Sequence, residues 1–413
     1  MTALSRIRQV GIKIEGTSGT AESLVAADFS RNVTDLSFVA SATRYSRNIL
    51  RAALTKIKDL VGGKLVEISW TEEMPANTGS TSTDGIWYPT LQGMGMQKNA
   101  QKLQIITVGS ISGGSFAGGD TITASGGKSG RVAAVTTISG ATKIIYQPMA
   151  GTFADMDSIS NGTATGTQSG SPADAGWTHR PMSENGSQVP PTATVEYHDP
   201  NYTERAVGAM GDGSVMAKWG EVLKLQSRYR GPRQIKTDDG TPLDPGLVSS
   251  VTAGPTPRKL LGNTGLPIRL GGWAGVLTEI QVKFNNTLTD RKTLSEAGVI
   301  GSEDDLVKCG YMPERITDRR VEITLDPETP AEATMSLMKN WNANTDMLFH
   351  AQLGTLLASG DKAICINCPK VSLAQDSFQQ QDRDGINTLG LTLLATGASN
   401  DDDEIYIDHV MIP

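Results

Sequence analysis

The sequence predicts a mainly β protein, and three observations carry that expectation. Of 413 residues, 45 are glycine and only 5% are aromatic, a composition suited to many short strands and turns rather than long helices. Several segments alternate apolar and polar residues, the period of a half-buried strand. One stretch also matches the chain thirty-seven residues further on, as duplicated hairpin units do. We read two similar β-rich halves, with a small β-module inserted into the first.

Residues 1–40 lack a strong period and read as an extended arm ending in a short strand. Ile12, Ile14, Leu24, Val25 and Phe29 would be wasted in solvent there. They are expected to be buried against a neighbouring subunit or ring, with much of the ordering delayed until assembly, a disordered terminus being the alternative. In 44–60, Ile49, Leu50, Leu54 and Ile57 fall at helical spacing, stopped by Gly62-Gly63. Leu65–Trp70 alternates and sets Val66, Ile68 and Trp70 on one face. GIWYPTLQGMGM (85–96) reads as a short turn or helix closed by Gly93 and Gly95.

The repeat lies in residues 102–180. Gly114 matches Gly151, Phe116 matches Phe153, Asp120 matches Asp157 and Ile122 matches Ile159. Each copy runs Gly-x-Phe, an Asp turn, an alternating strand and a Gly/Ser/Thr turn, so the segment reads as an independent module. It contains Gly127-Lys128-Ser129, which looks like the end of a phosphate-binding loop. Such a loop needs a glycine where Ile122 stands and a helix where Arg131–Val135 instead leads into β-branched residues with no helix cap. The stretch is expected to be a turn.

Strand patterning resumes at Thr192–Tyr197 and continues through Glu204–Ala209 and 221–231. The first domain therefore comprises 1–101 and 181–240, followed by a linker at 241–257. The second, 258–413, repeats the themes. Strands are expected at Leu277–Phe284, Arg320–Leu325, 362–367, 386–394 and in EIYIDHV at the end. A helix follows Asp326 as N-cap, with Pro327 in its first turn and Ala333, Leu337 and Trp341 on one face.

No catalytic constellation appears. The four histidines, His179, His198, His350 and His409, lie near no nucleophile elbow or zinc-binding helix motif. Cys365-x-x-Cys368 has no second pair, and with Cys309 it reads as buried thiols. Around Asp382 and Asp384 an EF-hand register would put Leu391 where the bidentate Glu belongs. Asp384-Gly385 is a better turn, and Asp401–Glu404 reads as a solvated hairpin tip. No cofactor or metal is expected. The net charge of −7 disfavours general nucleic-acid binding. No signal peptide or membrane-length apolar run is present, so a cytosolic origin is expected.

Taken in order, these elements resemble the tail tube (major tail) proteins of long-tailed bacteriophages. The residues that carry the resemblance begin with GIKIEGTSGTAESLVAADF, VEISW…GIWYPTLQGMG and TATVEYHD…RAVGAMGDGSVMAKWGEVLKLQSRYRG. They continue with GYMPERITDRRVEITLD and AICINCPKVSLAQDSFQQQDRDGINTLGLTLLATG…DDDEIYIDHV. The resemblance implies two tandem tail-tube-like β-sandwich or barrel domains, each with a flanking helix, in a structural virion protein whose rings stack into a hollow tube. Its partners would be other copies, the tape-measure and other tail proteins, and transiting DNA that is not specifically bound. Two similar halves suggest a homotrimeric, pseudo-hexameric ring, with a homohexamer as alternative. A surface adhesin or carbohydrate-binding β-protein would share the Gly/Thr-rich strands, and the missing signal peptide argues against it.

Overall fold

The computed structural model describes residues 7–47, 58–81, 83–184, 188–234, 243, 246–257, 268–294, 310–331, 334–375, 377–397 and 402–413. It is mainly β, with 54% strand and 5% helix. The chain opens with β1 (Gln9–Ile14), then a long antiparallel hairpin of β2 (Val33–Tyr45) and β3 (Leu60–Glu73). Val66, Ile68 and Trp70 of β3 are buried together in the largest core cluster, as their alternation requires. The expected helix at 44–60 is not borne out at its ends. Arg44 and Tyr45 pair with Val61 and Leu60 as strand, and residues 48–57 lie outside the described residues. Helix α1 (Tyr88–Gly93) starts with Pro89 in its first turn and buries Thr90 and Leu91. It is followed by β4 (Met96–Lys98).

The inserted segment is a closed six-stranded barrel. Its strands are β5 (Leu103–Ser112), β6 (Thr121–Ala124), β7 (Lys128–Ile138), β8 (Ala141–Ala150), β9 (Ser158–Ser160) and β10 (Thr165–Pro181). Pairing runs β5-β8-β7-β6-β9-β10 and back to β5. The repeat seen in the sequence is a local dyad. Equivalent residues Thr123 and Ser160 face each other across β6 and β9, and Ile106 faces Ile144 across β5 and β8. Phe116, Phe153, Ile122 and Ile159 share the barrel interior. Asp120 accepts from Ala117 N at 2.9 Å and Asp157 from Ala154 N at 2.7 Å, so each aspartate closes the same turn. Two glycines are required by the packing. A Cβ on Gly130 would lie 2.5 Å from Tyr146, and one on its counterpart Gly166 would lie 2.5 Å from Val108. The glycine equivalent to Gly151 (φ 62°) is Gly113 (φ 79°), one residue earlier than the sequence match. Gly126 and Gly127 have φ of 77° and 74° and lead straight into β7. The expected turn is borne out, and Lys128 pairs with Asp157 at 2.7 Å.

The barrel also packs on the rest of the chain. A second cluster joins its Leu103, Ile105 and Ala175 to Leu356, Cys365 and Val410.

After the barrel come β11 (Ala193–Asp199), β12 (Tyr202–Lys218) and β13 (Lys224–Gln234). β1 pairs with β11, Ile12 opposite Val195. This corrects the reading of an arm awaiting a neighbour. Ile12 and Phe29 are buried within their own chain, and Ile14 and Leu24 are half-buried. Only Val25, 58% exposed, remains open. The physical reason is that β11 offers an unpaired edge which the first strand fills.

The remaining strands are β14 (Ile268–Leu270), β15 (Glu279–Lys283), the small pair β16 (Thr287–Thr289) and β17 (Arg315–Asp318), and β18 (Glu322–Leu325). Helix α2 (Leu337–Asn342) precedes β19 (Met347–Leu353), β20 (Lys362–Leu373), β21 (Gln379–Arg383), β22 (Ile386–Ala395) and β23 (Tyr406–Met411). The helix expected directly after Asp326 begins only at Leu337, after Ser336. Asp326 instead accepts from the amides of Thr278 and Glu279, both at 2.8 Å, and pairs with Arg383. Ala333 lies outside the described residues. Asp384 and Gly385, both at positive φ, make the expected hairpin turn between β21 and β22. Asp401 of the acidic run lies outside the described residues, and the rest is not a solvated tip: Asp403 is buried and Asp402 accepts from Ser183 N at 2.8 Å.

One strand order occurs twice. The first half pairs as β2-β3-β13-β12-β11-β1, and the second as β15-β18-β22-β20-β19-β14. In each, a helix follows the second strand along the chain, α1 after β3 and α2 after β18. The largest core cluster draws on both halves.

Candidate assembly surface

One antiparallel run crosses both halves in the order β2-β3-β13-β12-β15-β18-β22-β21. The halves join where Ser214–Lys218 of β12 pair with Glu279–Lys283 of β15. Among the described residues no strand pairs with the outer edge of β2 or of β21. β2 is 13 residues long, and from Leu36 to Thr43 it carries no charge and no proline. Soluble proteins usually guard an edge of that length with such residues. Arg8 Nη1 reaches the Leu36 carbonyl at 2.9 Å, beside a bulge at Asp35 (φ 54°). Beyond it Val39 and Tyr45 are 63% and 56% exposed.

The solvent face of this run is polar. Ser37 meets Ser69 at 2.9 Å, and Ser214 donates to Gln226 at 3.1 Å. A shallow depression of about 410 Å³ is lined by Asp35, Thr71, Asp212, Gln281, Arg228 and Lys283, among others. Its two cations are paired, Arg228 with Glu67 at 2.8 Å and Lys283 with Glu322 at 3.7 Å. The face is hydroxyl- and amide-rich without an unpaired cation in its lining.

Elsewhere the titratable groups serve packing. Cys365 and Cys368 lie three apart on β20, so their side chains leave opposite faces. Cys365 belongs to the core shared with the barrel and Cys368 to the main core, and burial pushes both thiols up. They form neither a ligand pair nor a disulfide, and Cys309 lies outside the described residues. His179, His350 and His409 are fully buried, and burial lowers each to about 4. His198 contacts Glu196 at 2.9 Å. Burial raises the carboxyl of Glu196, yet His198 and Arg205 together hold it below its ordinary range. No group of three or more His, Cys, Asp or Glu among the described residues is placed to hold a metal. No helix among them is long and apolar enough to cross a membrane.

Two buried polar centres were not anticipated. Glu15 accepts from Gly19 N and Gly208 N, both at 2.7 Å, and from Thr194 at 3.0 Å, tying the end of β1 to β11 and β12. Burial nevertheless pushes its carboxyl up. Arg131 of the barrel holds Asp408 of β23 through two bonds of 2.8 Å. Both involve residues distant in sequence, and no local signal marks them. Strand β2 itself did have a signal, the alternation in VTDLSFVASATRY, which the helical spacing just beyond it obscured. Neither protein-family models nor curated proteins match this chain.

Proposed function

We propose that the chain is the tail tube protein of a long-tailed bacteriophage, a non-catalytic virion subunit made in the host cytoplasm. Its rings stack into a tube through which DNA passes. The observation that carries this reading is the eight-strand run whose two edges are unpaired among the described residues. The repeated strand order supports two tandem tail-tube-like units, 1–101 with 181–240 and 258–413, bridged by 241–257. The barrel at 102–180 would lie on the tube exterior.

The internal junction supplies the template for contacts between copies. β15 corresponds to β2, and the end of β12 corresponds to β21, so β21 of one copy would meet β2 of the next. Three copies then close a ring of pseudo-sixfold symmetry, and six copies are the alternative. The polar face would line the lumen, where paired charges give phosphates little cationic hold. Tape-measure and other tail proteins would be further partners, and no cofactor is needed.

Negative-stain images of purified protein test the reading: rings or tubes are expected, and monodisperse monomers at high concentration overturn it. Taking Gln379 as the counterpart of Met216 and Thr34 as that of Gln281, the Met216–Gln281 pair of the junction would set Thr34 opposite Gln379. The variant Thr34→Lys/Gln379→Lys should abolish rings and Thr34→Lys/Gln379→Glu restore them. Equal behaviour of the two would reject this edge pairing even if rings form.

A further inference from the structure

Three of the four histidines gather where the barrel meets the sheet of β19, β20 and β23. β10 pairs with β23 there, Trp177 opposite His409 and His179 opposite Ile407. The approach is close: a Cβ on Gly176 would collide with the His409 carbonyl. His179 Nδ1 contacts Ile407 O at 3.1 Å, and its ring lies against Trp87 and Tyr88. His409 Nε2 contacts Ala76 O at 2.8 Å, with its ring edge-on to Trp87. His350 of β19 presses on Gly118 of the barrel and has no well-aligned hydrogen bond on either ring nitrogen. His179 Nε2 and His409 Nδ1 are likewise unpartnered.

We propose that this seam is an acid-sensitive latch: protonation of its histidines releases the barrel from the β19–β20–β23 sheet while the rest of the core stays folded. The charges facing each ring decide the direction. His179 faces Lys98 and Asp408. His409 faces Asp84, Lys362 and His179. His350 faces Asp408, Arg131 and Arg269. The carboxylates are already engaged: Asp408 with Arg131, Asp84 with Lys98, and Asp120 beside Arg269 with that arginine. A new imidazolium therefore enters a dry seam whose facing carboxylates, among the described residues, already hold cations.

The closed state holds all three rings at about 4, against an ordinary 6.5. A histidine with a lowered pKa stabilises the closed form fully above its ordinary value and loses that contribution as pH falls toward the lowered one. Between those limits each histidine can favour opening by on the order of 100-fold. The fourth histidine, His198, has Glu196 at 2.9 Å and lies outside the seam.

Hydrogen exchange on the full, unassembled chain at pH 7.5 and 4.5, corrected for intrinsic rates, tests the latch. Peptides covering 165–181 and 406–411 should lose at least tenfold protection at the lower pH, while 193–199 and 224–234 keep theirs. Loss everywhere together, or nowhere, overturns the proposal. Histidine side-chain NMR of the unmodified chain gives a second reading: three resonances should stay neutral through pH 6 and titrate only with opening. Titration of those rings near 6.5 in the closed state overturns it. His350→Gln should move the opening midpoint to lower pH, and an unchanged midpoint in the folded variant counts against the latch. The unmodified chain decides if that variant does not fold.

Discussion

Replacing Arg131 by Met should cost about 3–5 kcal/mol, because it leaves the Asp408 carboxylate buried without its cation. The structure supplies the terms. Arg131 makes two bonds of 2.8 Å to Asp408, and its guanidinium sits 4.2 Å from the Tyr406 ring centroid. Charge-assisted bonds contribute roughly 1.5–3 kcal/mol each, so two of them reach the same range. Thr178 still donates to Asp408 at 2.7 Å, one neutral bond for a charge that had three. Urea unfolding followed by exchange of barrel and β23 peptides measures the loss. In Arg131→Met/Asp408→Leu no charge remains to strand, and most of the lost stability should return, as apolar replacement of buried pairs often achieves. A single variant costing under about 1 kcal/mol, or a double variant no better than the single, refutes the reasoning.

Phe116→Ala and Phe153→Ala occupy dyad-related sites and should each destabilise the barrel by about 3–5 kcal/mol, within about 1 kcal/mol of one another by denaturant titration. Lys128→Ala should leave fold and assembly unchanged and cost no more than about 1 kcal/mol, since its pair with Asp157 is partly exposed. Saturable ATP binding lost in that variant would contradict the turn assignment. Deleting residues 2–28 removes β1 and uncovers β11, so an insoluble or partly unfolded product is expected on size exclusion and circular dichroism. Native-state thiol labelling should leave Cys365 and Cys368 unmodified until the chain unfolds, and fast labelling would refute their burial.

Local periodicity made much of the fold legible. Val66, Ile68 and Trp70 announced β3 because one buried face imposes a period of two, and Phe116 and Phe153 announced the repeat because both fill one interior. What stayed hidden depends on partners far along the chain. Ile12 read as stranded in solvent because its mate, Val195, is 183 positions away. Asp326 read as a helix cap because Asp-Pro is a good helix start, whereas the amides of Thr278 and Glu279 claim it first. The open edges of β2 and β21 are properties of pairing, and no run of residues displays them.

The dyad of the barrel has an evolutionary consequence. Two equal three-stranded halves facing each other at Thr123 and Ser160 are what a homodimer becomes when its subunits are fused. Fusion frees the twins to diverge. Where one carries Arg131, reaching out to Asp408, the other carries Thr167; where one has Gly119 against Leu348, the other has Met156, 74% exposed. The first twin carries the Arg131 anchor, while the second holds the rest of the chain through its last strand, β10, where Gly176–His179 pair with β23, and leaves its Met156 turn in solvent.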